Sequence, residues 1–294
     1  MQMRLAAGFV LALSLCQAQA AEVETQRMGS SRVALANPHD LKLSPDGRYL
    51  LVSDVDNNRV AILDPHTLDE MGSFGADHQS GTHDVDFDAE GHVYVADTHN
   101  NRVTIYTLQD TRARLVGTLE SSLRGPEGVL AHPNGRIYVA GAWSGTVVAY
   151  ARDGGQARVV AELRGLSSPH DLELAANGDI WLADAGNDRL LLLSPELEIK
   201  RVLEGPPYEF DGVRYLDLSA DGSLVVADKN NHQIKVIGAD GELLAVLGDG
   251  RADDGPDGFR TPEGIELGDG LLWISDSGND RILKYRFHIR STTR

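Results

Sequence analysis

The feature that most limits what this chain can fold into is a repeat. Aspartates that close short apolar runs recur at Asp54, Asp97, Asp184, Asp228 and Asp276, with Gly141 in the third slot, at steps of 43, 44, 43, 44 and 48 residues. Asparagine follows three residues later in five copies (Asn57, Asn100, Asn187, Asn231, Asn279), and Ser144 stands there in the other. A period of this length holds four short strands, the content of one propeller blade. Six copies predict an all-β chain: a six-bladed β-propeller of four-stranded blades, forming a single domain over residues 21–294.

Each copy can be divided further. First strands open at Pro38-His39-Asp40, Thr82-His83-Asp84, Pro169-His170-Asp171 and Pro262-Glu263-Gly264. Second strands are continuous apolar runs such as Ile137-Tyr138-Val139-Ala140 and Ile180-Trp181-Leu182-Ala183, which implies burial on both faces, as blades stacked face to face provide. Between them, Pro45-Asp46-Gly47 and Asn177-Gly178 suit tight hairpins. The last copy runs out after a third strand at 281–289. Arg32-Val33-Ala34-Leu35, just ahead of Pro38, is expected to be the missing fourth strand, so that the N-terminus closes the last blade and covers its edge.

Ahead of the repeats, residues 1–20 carry one charge (Arg4), an apolar stretch from Leu5 to Leu15 and Ala18-Gln19-Ala20, the layout of a cleaved secretory signal peptide. The stretch is shorter than the roughly 20 residues a membrane span needs, so a periplasmic or secreted protein with no membrane span is expected. Cys16, the only cysteine, lies inside the signal, which leaves no thiol or disulfide after cleavage. Leu15 is too bulky for a lipid-attachment box ending at Cys16. With 27 Lys+Arg against 44 Asp+Glu, the formal charge of −17 repels phosphate backbones, so nucleic acid is not an expected partner; a monomer is expected.

The turn Asp-x-x-Asn-x-Arg has a structural reading: Asp accepts turn N–H groups, Asn tolerates the left-handed region and Arg pairs with a carboxylate. Together with the Pro-x-Asp/Gly openings and the apolar second strands, it resembles NHL repeats, and the resemblance covers residues 31–289. It implies six-bladed propellers that serve as protein-binding or RNA-binding platforms and, in a smaller set, as enzymes.

Function should reside where the copies differ. The residue before the Asp/Gly slot of each first strand is His39, His83, Glu127, His170, Arg214 and Glu263 in turn. First strands lie nearest the axis of a propeller, so these six side chains are expected to converge on the mouth of its channel. The long connections 205–211 and 248–261 should rim that mouth with Tyr208, Phe210 and Phe259, joined by Trp143. The ligand-binding candidates are therefore Glu127, Arg214, Glu263, Trp143, Tyr208 and Phe210. The metal candidates are His39, His83, His170 and Glu263. Of these, His83, His170 and Glu263 fall on alternate blades as a two-His-one-carboxylate set suited to zinc or another divalent transition metal. The alternative is that each His is simply hydrogen-bonded at the channel wall.

Pro38-His39 and Pro169-His170, and in part Thr82-His83, are similar to the Pro-His dipeptides that hold zinc in the peptidyl-α-hydroxyglycine α-amidating lyases. Here the histidines fall on blades one, two and four rather than on alternate blades. Arg214 and Tyr208 are the candidates for stabilising an oxyanion or moving a proton. The acidic, Gly-rich stretch 249–258 lacks the ligand spacing of an EF-hand loop, and no phosphate cradle or nucleophile elbow is present. Two functions remain: binding of a protein partner or small ligand at the mouth, which most chains of this repeat type serve, or a metal-dependent lyase or hydrolase there.

Overall fold

The computed structural model describes residues 22–120, 123–153 and 156–290. The signal-like segment and Cys16 lie outside them. Among the described residues are six antiparallel sheets of four strands each. Blades one to five occupy 38–74, 82–120, 126–164, 169–204 and 213–247, and the sixth combines Ile265–Gly268, Leu271–Asp276 and Arg281–Arg290 with Glu22–Ser30. No helix among these residues is long and apolar enough to cross a membrane.

The second strands pack as their continuous apolar runs require. In blade three, Ile137 and Val139 join Tyr94, Val103 and Ile105 of blade two, while Tyr138 and Ala140 join Leu172, Ile180 and Leu182 of blade four. One strand thus feeds two cores. Trp273 and Ile282 of blade six pack with Leu41, Leu50 and Val52 of blade one, and Trp273 Nε1 donates to Pro65 O at 3.0 Å.

The outer strand of blade six is Glu22–Ser30, paired from Glu22 with Arg290 to Ser30 with Leu283. The stretch 32–35, expected to be this strand, is irregular, and Leu35 is instead buried in the core between blades six and one. Distance explains the correction. An outer strand lies three strand spacings, about 14 Å, from the inner one. The two residues between Leu35 and Pro38, at about 3.5 Å each, cannot span that, whereas the connection after Ser30 can.

The Asp-x-x-Asn-x-Arg turn proves to be scaffolding. Asp97, fully buried, receives Asn100 Nδ2 at 2.9 Å, Arg102 Nε at 2.6 Å and the Ser80 backbone N–H at 2.7 Å, the last from the connection entering the same blade. Asp54, Asp184 and Asp276 repeat the set with Ala36, Ser167 and Arg260 as backbone donors. Blade five substitutes Lys235 for the arginine. The residue closing each turn is left-handed, and in every blade but the third, where it is Gly145, its side chain ties the next blade: Asn58 accepts from Gly81 N, Asn101 from Gly125 N and Asp280 from Asn37 N. The acidic stretch 249–258 is pinned the same way, since Arg281 donates to the carbonyls of Asp254, Gly255 and Gly258.

Candidate functional site: the axial mouth

The six variable residues do converge, and a local irregularity lets them. In blade one, Pro38 pairs with Asp54 but the next partners are Leu41 and Val52, so His39 and Asp40 occupy a bulge; blades two, four and five repeat it. A bulge breaks strict alternation and re-aims side chains. Two consecutive residues thereby leave the ladder. Asp40, Asp84 and Asp171 each accept a backbone N–H of the next first strand (Val85, Val129 and Leu216), tying inner strand to inner strand.

Around the mouth the side chains form two groups of three. Glu263, His39 and His83 come from blades six, one and two: His39 Nε2 lies 3.4 Å from Glu263 Oε1, and the two imidazoles meet edge to face at 4.6 Å between centroids. Glu127, His170 and Arg214 come from blades three, four and five. There His170 Nε2 lies 2.5 Å from Glu127 Oε2 and Arg214 Nη1 packs on the His170 ring. His83 and His170 direct Nδ1 at the carbonyls of Gly81 and Ser168, at 2.9 and 2.7 Å, which leaves Nε2 for the mouth.

Glycine is required in both groups. A Cβ on Gly264 would lie 2.2 Å from His39 O, and one on Gly128 would lie 1.9 Å from His170 O. The backbone carrying each histidine thus rests directly on the preceding blade.

Burial sets the electrostatics. It is the largest influence on His39, lowering its pKa to about 3 against the opposite pull of Glu263, and it lowers His83 as well. For Glu127 and Glu263 burial pushes upward but loses: His170 and the other histidines hold Glu127 at about 2, and His39, Lys229 and Arg214 hold Glu263 at about 2. At neutral pH the mouth therefore contains the carboxylates of Glu127 and Glu263 and an uncharged His39. His39 Nδ1 and Arg214 Nε make no hydrogen bond, whereas Glu263 Oε1 is ion-paired with Lys229 Nζ and lies 3.4 Å from His39 Nε2.

The mouth has a floor. Tyr215, wholly buried, replaces the Asp or Gly found at its position in the other blades. Its hydroxyl donates to His83 O at 3.1 Å and Glu127 O at 3.2 Å, and its ring lies 6.4 Å from both His39 and His170. This crossbar makes the opening a cup rather than a through channel. Below it, Asp86, Glu173, Asp217 and Glu266 share a single ammonium, Lys42, which lies 2.8 Å from Glu173. Burial pushes Asp86 up to about 6 and Asp217 up to about 7.

The rim differs from expectation. Trp143 is half exposed and stacks on His99 at 5.8 Å, which in turn lies 6.3 Å from His83. Tyr208 and Phe210 are buried in the core between blades four and five, stacked on each other, and the Tyr208 hydroxyl donates to Gly241 O. Phe259 is buried between blades five and six. Their connections follow the predicted route, but large apolar rings beside an open interblade seam gain more by filling it, about 1.5–3 kcal/mol each. Tyr208 therefore does not join the mouth. His99, Lys229 and Tyr215 went unread in the sequence; each occupies a slot where the repeat elsewhere has another residue.

The predicted metal set is likewise not gathered. Among the described residues the one trio with ligand atoms within 4.8 Å of one another is Asp88, Glu90 and His92, in a hairpin whose Asp88 is already occupied by the N–H groups of Glu90 and His92. His39 and His170 are turned to carboxylates and His83 to the Gly81 carbonyl and the His39 ring, so His39, His83, His170 and Glu263 do not fit a common ion as they stand.

An NHL-repeat model matches residues 83–106, the core of blade two. No curated protein matches the sequence. Among solved structures, a catalytically inactive His-to-Ala variant of virginiamycin B lyase from Staphylococcus aureus with quinupristin aligns at 15% identity over 90% of this chain and 99% of its own, with TM-score 0.63. An auxiliary nutrient binding protein from Bacteroides thetaiotaomicron aligns at 14% identity over 91% and 77%, with TM-score 0.69. A protein of unknown function from the same organism gives 13%, 91% and 76%, with TM-score 0.74. At these identities the likeness extends to the propeller fold alone.

Proposed function

We propose that this protein is an exported NHL-type propeller that binds a small organic ligand in the cup at its axial mouth. The observation that supports the reading is a pair of buried polar atoms there without hydrogen bonds: His39 Nδ1 and Arg214 Nε. An unsatisfied buried group costs about 1–3 kcal/mol, and native proteins hold few of them. Two at one site, above the Tyr215 floor and with Trp143 half exposed at the rim, match the polar atoms of a ligand. A nutrient-binding protein of the same fold is in keeping with this use. The test is a metabolite screen by thermal unfolding of the mature chain. A true ligand at 100 times its Kd adds about 2.7 kcal/mol of stability, and that gain should disappear in Arg214→Gln and His39→Gln but persist in Met71→Ala on the outer strand of blade one. Equal stabilisation of all variants would refute the site.

A second reading, lyase-type acid–base catalysis, is favoured by one contact. Glu127 lies 2.5 Å from His170 Nε2, whose Nδ1 is fixed on Ser168 O, an oriented carboxylate–imidazole pair. Virginiamycin B lyase loses catalysis with one histidine changed. His39, held at about 3, is too weak a base at neutral pH for this role and suits binding. The lyase reading requires that His170→Ala abolish turnover of a ligand found in the screen while leaving its stabilising effect in place; undiminished turnover eliminates it.

A further inference from the structure

A row of rings leads from the axis to the rim. His39 meets His83 at 4.6 Å, His83 lies 6.3 Å from His99, and His99 stacks on Trp143 at 5.8 Å with only 23° between planes. Both outer members are exposed, so the row ends in an open shelf on blades two and three. Trp143 rests on Gly125, where a Cβ would come within 2.4 Å of the indole, and its backbone N–H is tied to Arg124 O at 3.2 Å. The indole is therefore seated, and its half-exposed ring is offered to solvent. Flat rings bind such a surface by offset stacking.

Blade five, opposite blade two, supplies the complementary group. Arg214 commits Nη1 to His170, while Nε has no hydrogen bond and its nearest carboxylate, Glu263, stands 3.9 Å away. Glu263 is itself in contact with Lys229. A guanidinium whose Nε is buried and unpaired in this way is matched in charge by a carboxylate.

We infer that the ligand of the mouth is a small carboxylate carrying a flat ring, its anionic end on Arg214 and its ring on the row that ends at His99 and Trp143. This rests on the binding reading of the cup and adds the ligand's chemical class.

The test uses three probes on the intact mature chain: phenylacetate, phenethylamine and acetate. Trp181 and Trp273 are buried, so Trp143 is the one exposed tryptophan and its emission reports on the shelf. Phenylacetate should shift that emission saturably and bind better than acetate, while phenethylamine should not bind. By calorimetry, Arg214→Gln should weaken phenylacetate about tenfold or more, the scale of a hydrogen bond to a charged group. Trp143→Ala should weaken it about threefold to tenfold, the scale of one aromatic contact. Trp143→Phe should silence the optical signal while keeping the affinity. Binding of phenethylamine in place of phenylacetate, lost in His39→Gln, would overturn the ligand class and leave the cup as a binding site. Phenylacetate binding that survives Arg214→Gln, Trp143→Ala and His39→Gln alike would overturn both. Failure of all three probes to bind would overturn the class, the cup being then judged by the metabolite screen.

Discussion

Blades two and five face each other across the axis and occupy equivalent places in the two halves of the ring. Glu263-Gly264, His39-Asp40, His83-Asp84 is one half; Glu127-Gly128, His170-Asp171, Arg214-Tyr215 is the other. The halves agree at their first two blades, down to the glycine beneath each histidine, and part only at the third. Blade two keeps the scaffold pattern: His83 donates to its own connection and Asp84 ties Val129. Blade five gives up that tie to lay Tyr215 across the axis and to aim a guanidinium at His170. A near-twofold scaffold is thus made one-sided by two adjacent substitutions, which close the floor and set a guanidinium where blade two has an imidazole. A cup with unlike flanks can orient an unsymmetrical ligand.

The largest effects are expected at the motif aspartates. Asp97→Ala in blade two and Asp228→Ala in blade five should each cost about 3–5 kcal/mol in denaturant unfolding, because a buried charge loses its partner. The blade-five loss should be the larger, since Lys235 has a side chain only 4% exposed whereas Arg102 is 26% exposed. Equal losses would mean that the two locks are interchangeable.

A second probe uses the matched acids below the floor, Asp86 of blade two and Asp217 of blade five, raised to about 6 and about 7. A carboxyl raised above its unfolded value binds protons in the native state first, so its ionisation removes stability as pH climbs from about 4 through the folded pKa. Relative to wild type, Asp86→Asn should therefore gain about 1–3 kcal/mol between pH 4 and pH 8, and Asp217→Asn somewhat more, measured as unfolding free energy against pH. His39 and His83, both lowered by burial, run oppositely. His39, lowered to about 3, contributes stability that is full above pH 6.5 and is lost as pH falls toward 3, so His39→Gln should flatten that limb. A wild type whose acid limb is unchanged in His39→Gln would show that the imidazole is not buried as described.

Smaller effects sharpen the picture. Tyr215→Phe should cost about 1 kcal/mol by removing the hydroxyl shared between His83 O and Glu127 O. Trp143→Ala should alter stability by less than about 0.5 kcal/mol, as expected for an exposed residue, while weakening ligand capture.

The slots where the repeat is interrupted held more of the site than the sequence reading used. His99 and Lys229 sit in the variable slots between the motif Asp and Asn, and Tyr215 breaks an Asp/Gly column; the structure places all three at the mouth. Tyr208 and Phe210 misled for a physical reason. A loop's route is set by blade geometry, but the direction of an aromatic side chain on it is set by the nearest unfilled seam, here the one lined by Leu203, Val226 and Ile237.

The sequence by itself determined the number of blades, the strand order within each and the ring of six residues at the axis, because these follow from a period and an alternation that every copy restates. Only the tertiary structure decided which neighbours pair across blades, that Tyr215 bars the channel, and that Glu22–Ser30 rather than residues 32–35 lies against Arg281–Arg290. Those outcomes depend on distances between segments far apart in the chain. A repeat fixes what each blade must do for itself, whereas contacts between unlike blades arise only once the ring has brought them together.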